Sequence, residues 1–416
     1  MSSIVEHSHV ISINYISLLR ETDRGLLLKI AIVGTRGLPP QYGGYETFSE
    51  YFVRYFIENG HEVTVACERT REEPAMDNYK GANLVYFPFQ PPERYSLRKI
   101  YEGLNDLYFY FKLARKTEIM YILAGLGTQV LPLLRIINPR LRIVTNNDGL
   151  EWKRSKYNKI ERILWKSFIR SSMRSSHLVV HDNPRLADFF PRINMKNTIS
   201  IPYGVEKQED RNWDKELLIK NINHFPPINS LAPENYYIII ARLQSDNNTH
   251  VALEGFLKSE SDKKLLVIGD PQDSRYLDYL QEIIPDSHKD RILLIGSVYN
   301  QSLLGMLRSN SFAYIHGHSA GGTNPSLLEA MSDNLAIIAH DNPFNRNVLD
   351  NNGFFFDTPD QVCSAIKSLE HDSEIRKNLA SSNGTRARQK YTWKKCMSKH
   401  EKAFMALLNS NSNKNI

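Results

Sequence analysis

Four stretches of this sequence combine residue types and spacings that could handle an anion and a hydroxyl group. The richest is His316-Gly-His-Ser-Ala-Gly-Gly-Thr-Asn-Pro-Ser-Leu-Leu-Glu-Ala-Met331. Phe312–His316 reads as a strand, and Gly321 and Gly322 leave the backbone after it open. Thr323 or Asn324 suits a helix cap and Pro325 the first helical turn. Open amides at a helix start attract negative charge, so a diphosphate is the natural guest of this loop. Glu329 falls about one turn further on. A carboxylate there would repel phosphate but could accept hydrogen bonds from vicinal ribose hydroxyls; the competing reading is a plain surface carboxylate near a helix N-terminus. In Ala241-Arg-Leu243, just past another strand, Arg242 could clamp a leaving diphosphate in bidentate fashion. The loop Gly34-Thr-Arg-Gly-Leu-Pro-Pro-Gln-Tyr-Gly-Gly-Tyr-Glu46 lacks the GxGxxG spacing of a dinucleotide fingerprint, but Gly43 and Gly44 stand just before a helix and could offer amides to an anion. Asp148, after the strand Arg142–Asn146, could orient or deprotonate an acceptor hydroxyl. An aspartate before glycine is equally common in a plain turn.

These loops need strands and helices to aim them. Lys29-Ile-Ala-Ile-Val-Gly34 reads as a buried strand ending at glycine, Tyr45 to Asn59 carries helical apolar spacing closed by Gly60, and Glu62–Cys67 is the next strand. This βαβ opening predicts a parallel sheet with right-handed crossovers. Further strands are expected at Leu84–Phe87, Met120–Ala124, Arg142–Asn146 and Leu178–His181, with helices at about 95–117 and 155–175. The pattern restarts with strands at Tyr236–Ile240, Lys264–Ile268, Arg291–Leu294, Phe312–His316 and Leu335–Ala339. Two α/β halves in series predict paired Rossmann-like, doubly wound domains facing across a cleft, with ligand at the carboxyl ends of the strands. The expected division is an extension over 1–28, an N-terminal Rossmann-like domain over 29–205, a C-terminal Rossmann-like domain over 206–388, a helix over 389–408 packing back towards the N-terminal domain, and a disordered tail over 409–416.

Bulk properties narrow the class. The chain has 416 residues, 41% of them hydrophobic and 24% charged, with a formal net charge of +6. This is ordinary globular usage, and the charge is too mild for a dedicated nucleic-acid binder. Cys67, Cys363 and Cys396 are far apart and form no CxxC pair, which argues against a zinc site or disulfide framework and fits a reducing cytoplasm. No run of about 18 apolar residues is present, so no transmembrane helix is expected. No Asp-x-Asp stands at a strand end to hold a cation, so neither metal nor cofactor is expected.

The set Gly34-Thr-Arg-Gly-Leu-Pro39, Tyr42-Gly-Gly-Tyr-Glu46, Asp148-Gly-Leu-Glu-Trp-Lys-Arg154, Ile201-Pro-Tyr-Gly204 and Gly321-Gly-Thr-Asn-Pro-Ser-Leu-Leu-Glu-Ala-Met331 resembles the retaining glycosyltransferases of family 4, which have the GT-B fold. The likeness spans about Lys29 to Leu408. Its N-terminal half is similar to the bacterial rhamnosyltransferases of cell-surface polysaccharide assembly. Two positions depart from the family pattern: Gly321 replaces the first carboxylate of a carboxylate-x7-carboxylate motif, and Asn247 replaces a lysine that commonly follows the arginine. The resemblance implies a nucleotide sugar as donor substrate, dTDP-L-rhamnose before others, and a lipid-linked or saccharide acceptor. It also implies retention by front-face attack. Gly43, Gly44, Arg242, Gly321, Gly322, Thr323, Asn324 and Glu329 would hold the donor. Asp148 and Arg242 would serve catalysis.

A basic stretch is the remaining feature. Between Trp152 and Arg174 there are eight cations opposed only by Glu161, a local net charge of +7. Arg162, Lys166, Arg170 and Arg174 are spaced i, i+4 and should form one helical ridge, with Ile160, Ile163, Leu164 and Phe168 as an apolar stripe packed inward. With Glu151, Lys153 and Arg154, this ridge is expected on the acceptor side. It would touch an anionic membrane as a peripheral protein on the inner face of the plasma membrane. Two rival classes exist: a nucleotide-sugar epimerase on the same fold, which needs no acceptor, and a non-catalytic nucleotide-binding relative.

Overall fold

Ile30, Ala31, Ile32 and Val33 are buried in a row, which is how a strand covered on both faces of a parallel sheet reads. They belong to β1 (Lys29–Val33). The computed structural model describes residues 27–40, 43–69, 76–123, 126–147, 149–153, 157–190, 197–206, 212–222, 226–271 and 274–412. The chain divides into two compact units; Lys159–Pro202 and the segment from Trp393 join the N-terminal residues in the first, while Gly149–Asn158 and Tyr203–Thr392 form the second.

In the first unit, β1 is followed by helix α1 (Gly44–Glu58) and β2 (Glu62–Cys67). A short antiparallel pair, β3 (Asn78–Tyr79) and β4 (Ala82–Tyr86), follows, then α2 (Tyr95–Leu113) and β5 (Ile119–Leu123). Helix α3 (Leu131–Ile137), β6 (Arg142–Asn146), α4 (Lys159–Ser175), β7 (Leu178–His181) and β8 (Thr198–Ser200) complete the run. The eight strands are ordered β3-β4-β2-β1-β5-β6-β7-β8, parallel except for the β3–β4 pair. Strand order reverses between β1 and β5. In doubly wound sheets that switch point is where loops part and ligands bind.

The second unit repeats the plan after helix α5 (Lys215–Asn221). It contains β9 (Tyr236–Ile240), α6 (Thr249–Ser259), β10 (Lys264–Ile268), α7 (Ser274–Ile283), β11 (Ile292–Leu294), α8 (Gln301–Ser309) and β12 (Ala313–His316). Then come α9 (Pro325–Ser332), β13 (Ile337–His340), α10 (Pro343–Leu349), β14 (Phe354–Phe356), α11 (Pro359–His371) and α12 (Ser373–Lys390). Its six strands are all parallel in the order β11-β10-β9-β12-β13-β14, so the switch point lies between β9 and β12. Tyr237, Phe256, Leu265, Ile315, Ile338 and Ile366 are among the buried side chains of its core.

The last helix, α13 (Trp393–Ser412), belongs to the first unit and packs on α1. Trp393 stacks on Tyr51 at 4.2 Å between ring centroids, Phe404 meets Phe52 and Phe56, and His400 lies 2.9 Å from the Tyr121 hydroxyl. Glu401 accepts from Tyr55 at 2.7 Å and lies 3.0 Å from His61. The helix runs to Ser412, so residues 409–412 are ordered helix where the composition suggested the start of a disordered tail. No helix among the described residues is long and apolar enough to cross a membrane.

Candidate functional site

At the switch point of the second sheet, two loops are locked together. The chain leaves β9 through Ala241-Arg-Leu243 and turns back through a short helical turn, Ser245–Asn247. Buried Asn247 donates its side-chain amide to the Arg242 carbonyl at 2.7 Å. Asn248 reaches the Gly317 carbonyl at 2.9 Å, and Ser319 donates to the Asp246 carbonyl through both N–H and Oγ, at 3.0 and 2.8 Å. Gly317 is needed for this approach: a Cβ there would stand 1.9 Å from the Asn247 carbonyl oxygen. On the other side, Asn342 and Asn345 hold the His318 carbonyl at 2.9 and 3.0 Å. The loop carrying Gly321 and Gly322 is therefore fixed to the loop carrying Arg242, whose side chain is exposed. Asn247 is no vacancy left by a missing lysine. It is a structural amide that sets the backbone under the arginine.

The glycine loop leads into α9 as its spacing predicts. Asn324 is the N-cap, its side-chain oxygen accepting from Ser326 N at 3.1 Å and Ser326 Oγ at 2.9 Å, and Pro325 opens the helix. That side-chain oxygen is committed to the cap, which leaves the side-chain NH2 and the backbone as what Asn324 can offer a ligand. Thr323 is buried, and Gly321, at φ 130°, has open space where a Cβ would be. Gly322 and Asn324 are half-buried.

Glu329 has a partner that sequence reasoning missed. Arg308, on α8 and only 3% exposed, places Nη1 2.7 Å from Glu329 Oε2 and Nε 2.6 Å from Asp333 Oδ2. Asp333 is 1% exposed and Glu329 36%. Burial pulls the Arg308 pKa down, but the two carboxylates outweigh it and the net shift is upward. Glu329 is thus a carboxylate held rigidly from below with its outer edge accessible. The available signal was an arginine inside the apolar run Leu303-Leu-Gly-Met-Leu-Arg308, since a buried cation needs an anion.

His316 and His318 were also unforeseen. Their rings stack 4.5 Å apart at 14°, at the carboxyl end of β12. Neither ring nitrogen of His316, a buried residue, has a hydrogen-bond partner. Burial, with repulsion from His318 and His340 added, holds its pKa well below the ordinary value, so it is a neutral imidazole.

In the first unit the picture differs. Gly43, at φ 130°, caps α1, and Gly44 is its first residue. Buried Glu46 turns back into this loop, accepting from Arg36 N at 3.1 Å and Thr35 Oγ1 at 3.3 Å. A Cβ on Gly43 would meet Glu46 Oε2 at 2.1 Å. A carboxylate already occupies the loop, which disfavours a second anion beside Gly43. Asp148 and Arg154 lie outside the described residues, as does the Glu151 side chain; Lys153 is exposed at the end of a short helical turn. On α4, Lys166 and Arg170 are exposed and Arg162 is half-buried. The apolar stripe does not pack inward: Ile160 and Ile163 are 70% and 67% exposed, and Leu164 is exposed beside them. Ser172, Met173 and Ser175 are what α4 buries, and Phe168 is half-buried against Trp165. The i, i+3, i+4 spacing identifies a helical face correctly but cannot say which face is turned outward.

Comparisons with known proteins agree with this architecture. Residues 221–386 match the family described as Glycosyl transferases group 1, and residues 27–206 match a Domain of unknown function, DUF1972. An uncharacterized glycosyltransferase of Methanocaldococcus jannaschii is 26% identical over 398 residues, covering 89% of this chain and 96% of that protein. Glycosyltransferase 1 domain-containing protein 1 of Xenopus tropicalis is 22% identical over 204 residues, which is 48% of this chain and 57% of that relative's length. Among solved structures, sucrose-phosphate synthase from Thermosynechococcus elongatus aligns with a TM-score of 0.71 at 14% identity, over 92% of this chain and 99% of its own. HepE of Anabaena in complex with UDP aligns with a TM-score of 0.66 at 13% identity, over 90% and 98%. Two α/β units with parallel sheets in this arrangement of elements are the fold of the GT-B glycosyltransferases. The second unit matches a group 1 glycosyltransferase domain, so the chain carries a glycosyltransferase domain on that fold.

Proposed function

We propose that this chain transfers a sugar, L-rhamnose from dTDP-L-rhamnose before other donors, from a nucleoside diphosphate to a lipid-linked or saccharide acceptor during cell-surface polysaccharide synthesis, with retention of anomeric configuration. The observation that carries the reading is the locked pair of loops at the β9–β12 switch point. Exposed Arg242 and the loop Gly321–Asn324, with open space at Gly321, stand on one frame, with the Arg308-held Glu329 one turn further. Preorganised donors aimed at developing charge supply much of the rate enhancement in such reactions. As the bond between the anomeric carbon and the phosphate oxygen breaks, the leaving diphosphate gains charge that Arg242 and the loop amides can take up. The accessible oxygen of Glu329 suits the ribose hydroxyls. The acceptor hydroxyl then bonds to the anomeric carbon on the face the diphosphate leaves, and its proton passes to the departing phosphate. Asp148 is the proposed group that orients the acceptor. The donor class has support from relatives of the same fold: HepE of Anabaena is known in complex with UDP and with UDP-glucose. No metal is proposed, because the guanidinium and amides can meet the charge. The exposed cations Lys153, Lys166 and Arg170 suit a protein working peripherally on the cytoplasmic face of an anionic membrane.

A thermal-shift panel of nucleoside diphosphates and nucleotide sugars, followed by product analysis with and without lipid-linked acceptor, tests this reading. A shift with one nucleotide class and acceptor-dependent product are expected. Conversion of donor alone to an isomer would indicate an epimerase, and binding without turnover a non-catalytic relative; either overturns the proposal.

A further inference from the structure

Helices α2 and α4 of the first unit each present large apolar side chains to solvent. On α2, Leu97, Ile100, Leu104 and Phe111 are exposed, Ile100 by 61%. At about 100° per residue they fall within about 60° of arc, a single stripe along the helix. On α4, Ile160, Ile163 and Leu164 share the outward face with Lys166, Arg170 and Arg174. The two helices are tied near their N-terminal ends by an ion pair between Lys99 and Glu161, which neutralises the acidic residue of α4 beside Ile100 and Ile160. Exposed apolar patches of this kind mark interaction surfaces. A helix whose outward face mixes aliphatic side chains with cations is built to lie in a membrane interface.

We infer that α2 and α4 form a wedge that inserts Leu97, Ile100, Leu104, Ile160, Ile163 and Leu164 into the headgroup–acyl boundary of an anionic bilayer. This deepens the membrane reading made above, from charge attraction at a distance to partial insertion. The occupant is lipid and not a second copy of this chain. An isologous pairing through this face would bring two copies of the same cation-rich surface together, whereas anionic headgroups complement Lys166, Arg170 and Arg174. The cations bring the surface down and the aliphatic residues keep it there.

The test is flotation of the full-length chain with phosphatidylcholine vesicles and with vesicles containing phosphatidylglycerol, at low and high salt. Three proteins are compared: the wild type, Ile160→Glu/Ile163→Glu, and Lys166→Ser/Arg170→Ser. Both changes fall on exposed positions, and circular dichroism with thermal melting checks that each variant is folded, while donor turnover is followed for the wild type. Wild type should float with anionic vesicles and keep measurable binding at high salt. The double glutamate variant should lose at least tenfold in partition coefficient at both salts. The double serine variant should lose roughly twenty- to thirtyfold at low salt, at about fivefold per cation. Trp165 fluorescence should shift to the blue on binding. If the wild type binds but the glutamate variant binds equally well, insertion is overturned while peripheral attraction stands. If nothing floats at low salt, both fall. A concentration-dependent dimer broken by the glutamates, with no vesicle binding, also overturns the proposal. Loss of donor turnover in the wild type speaks only to the transferase reading.

Discussion

Replacing Arg308 by methionine should separate the stability of the second unit from the quality of its site. The guanidinium is 3% exposed and bonds two carboxylates, one of them, Asp333, 1% exposed. Methionine fills much of the volume but leaves Asp333 buried without its cation. Breaking a buried pair in this way costs about 3–5 kcal/mol. For a unit of this size, each kcal/mol moves a melting transition by about 2–4 °C, so its midpoint should drop by about 6–20 °C. Adding Asp333→Leu should recover most of that loss, because replacing both members of a buried pair by apolar residues is often close to neutral. Ligand affinity should behave differently. In both variants Glu329 loses the bond at 2.7 Å that fixes its carboxylate, so binding of the preferred nucleoside diphosphate, measured by calorimetry, should stay weakened about tenfold even where stability returns. Glu329→Gln should reproduce the affinity loss with a smaller loss of stability. The reasoning is refuted if Arg308→Met melts within a few degrees of wild type, or if the double variant binds nucleotide as tightly as wild type.

Arg242→Ala should cut turnover by about a hundredfold, by analogy with loss of one oxyanion-type donor, without changing the melting profile, since the side chain is exposed. Gly317→Ala should destabilise the second unit by about 1–3 kcal/mol and raise KM, because a Cβ 1.9 Å from the Asn247 carbonyl forces the two loops apart; denaturant titration and initial-rate kinetics check this. Burial holds His177, His181 and His400 at about 4, below the ordinary 6.5, so the stability they allow is complete above about pH 6.5 and is lost as pH falls towards 4, on the order of 3 kcal/mol each. Asp106 works in the opposite sense. Burial raises its carboxyl from 3.8 to about 7, so its contribution is fully present below pH 4 and is lost as pH rises to 7, on the order of 4 kcal/mol. Asp106→Asn, which keeps an acceptor for the Leu126 N–H at 2.8 Å, should make the first unit more stable at pH 8 and steepen its loss below pH 6.5 in urea titrations across pH.

Much of the frame was readable from local pattern. Short apolar, β-branched runs gave β1, β2, β6, β7, β9 and β10 within a residue or so, with glycine marking the ends of β1 and β10, and the Asn324-Pro325 pair gave the start of α9 with its cap. These features depend on neighbours in sequence. What failed depends on neighbours in space. Ile160 and Ile163 have the spacing of a core stripe, but nothing local says that Ser172 and Met173 face the sheet instead. Glu46 reads as a helix residue, and only the folded loop shows it bonded to the Arg36 amide. Glu329 was weighed as a ligand group and Asn247 as the loss of one. The partners that define them, the Arg242 carbonyl and Arg308, lie across a turn and on another helix. The short strands β3, β8 and β14 carry too few residues for any periodicity to register.

The return of α13 to α1 has a consequence for how the protein is made. The aromatic face of α1, with Phe48, Phe52 and Phe56, is covered by Trp393, His400 and Phe404. About 190 residues separate the last strand of the first unit from the helix that closes it. At translation rates of about 5–20 residues per second, the first unit waits some 10–40 s with that face open while the whole second unit emerges. The half synthesised first is therefore the half completed last, and a chain cut short near its end would release a finished second unit attached to an unfinished, sticky first one.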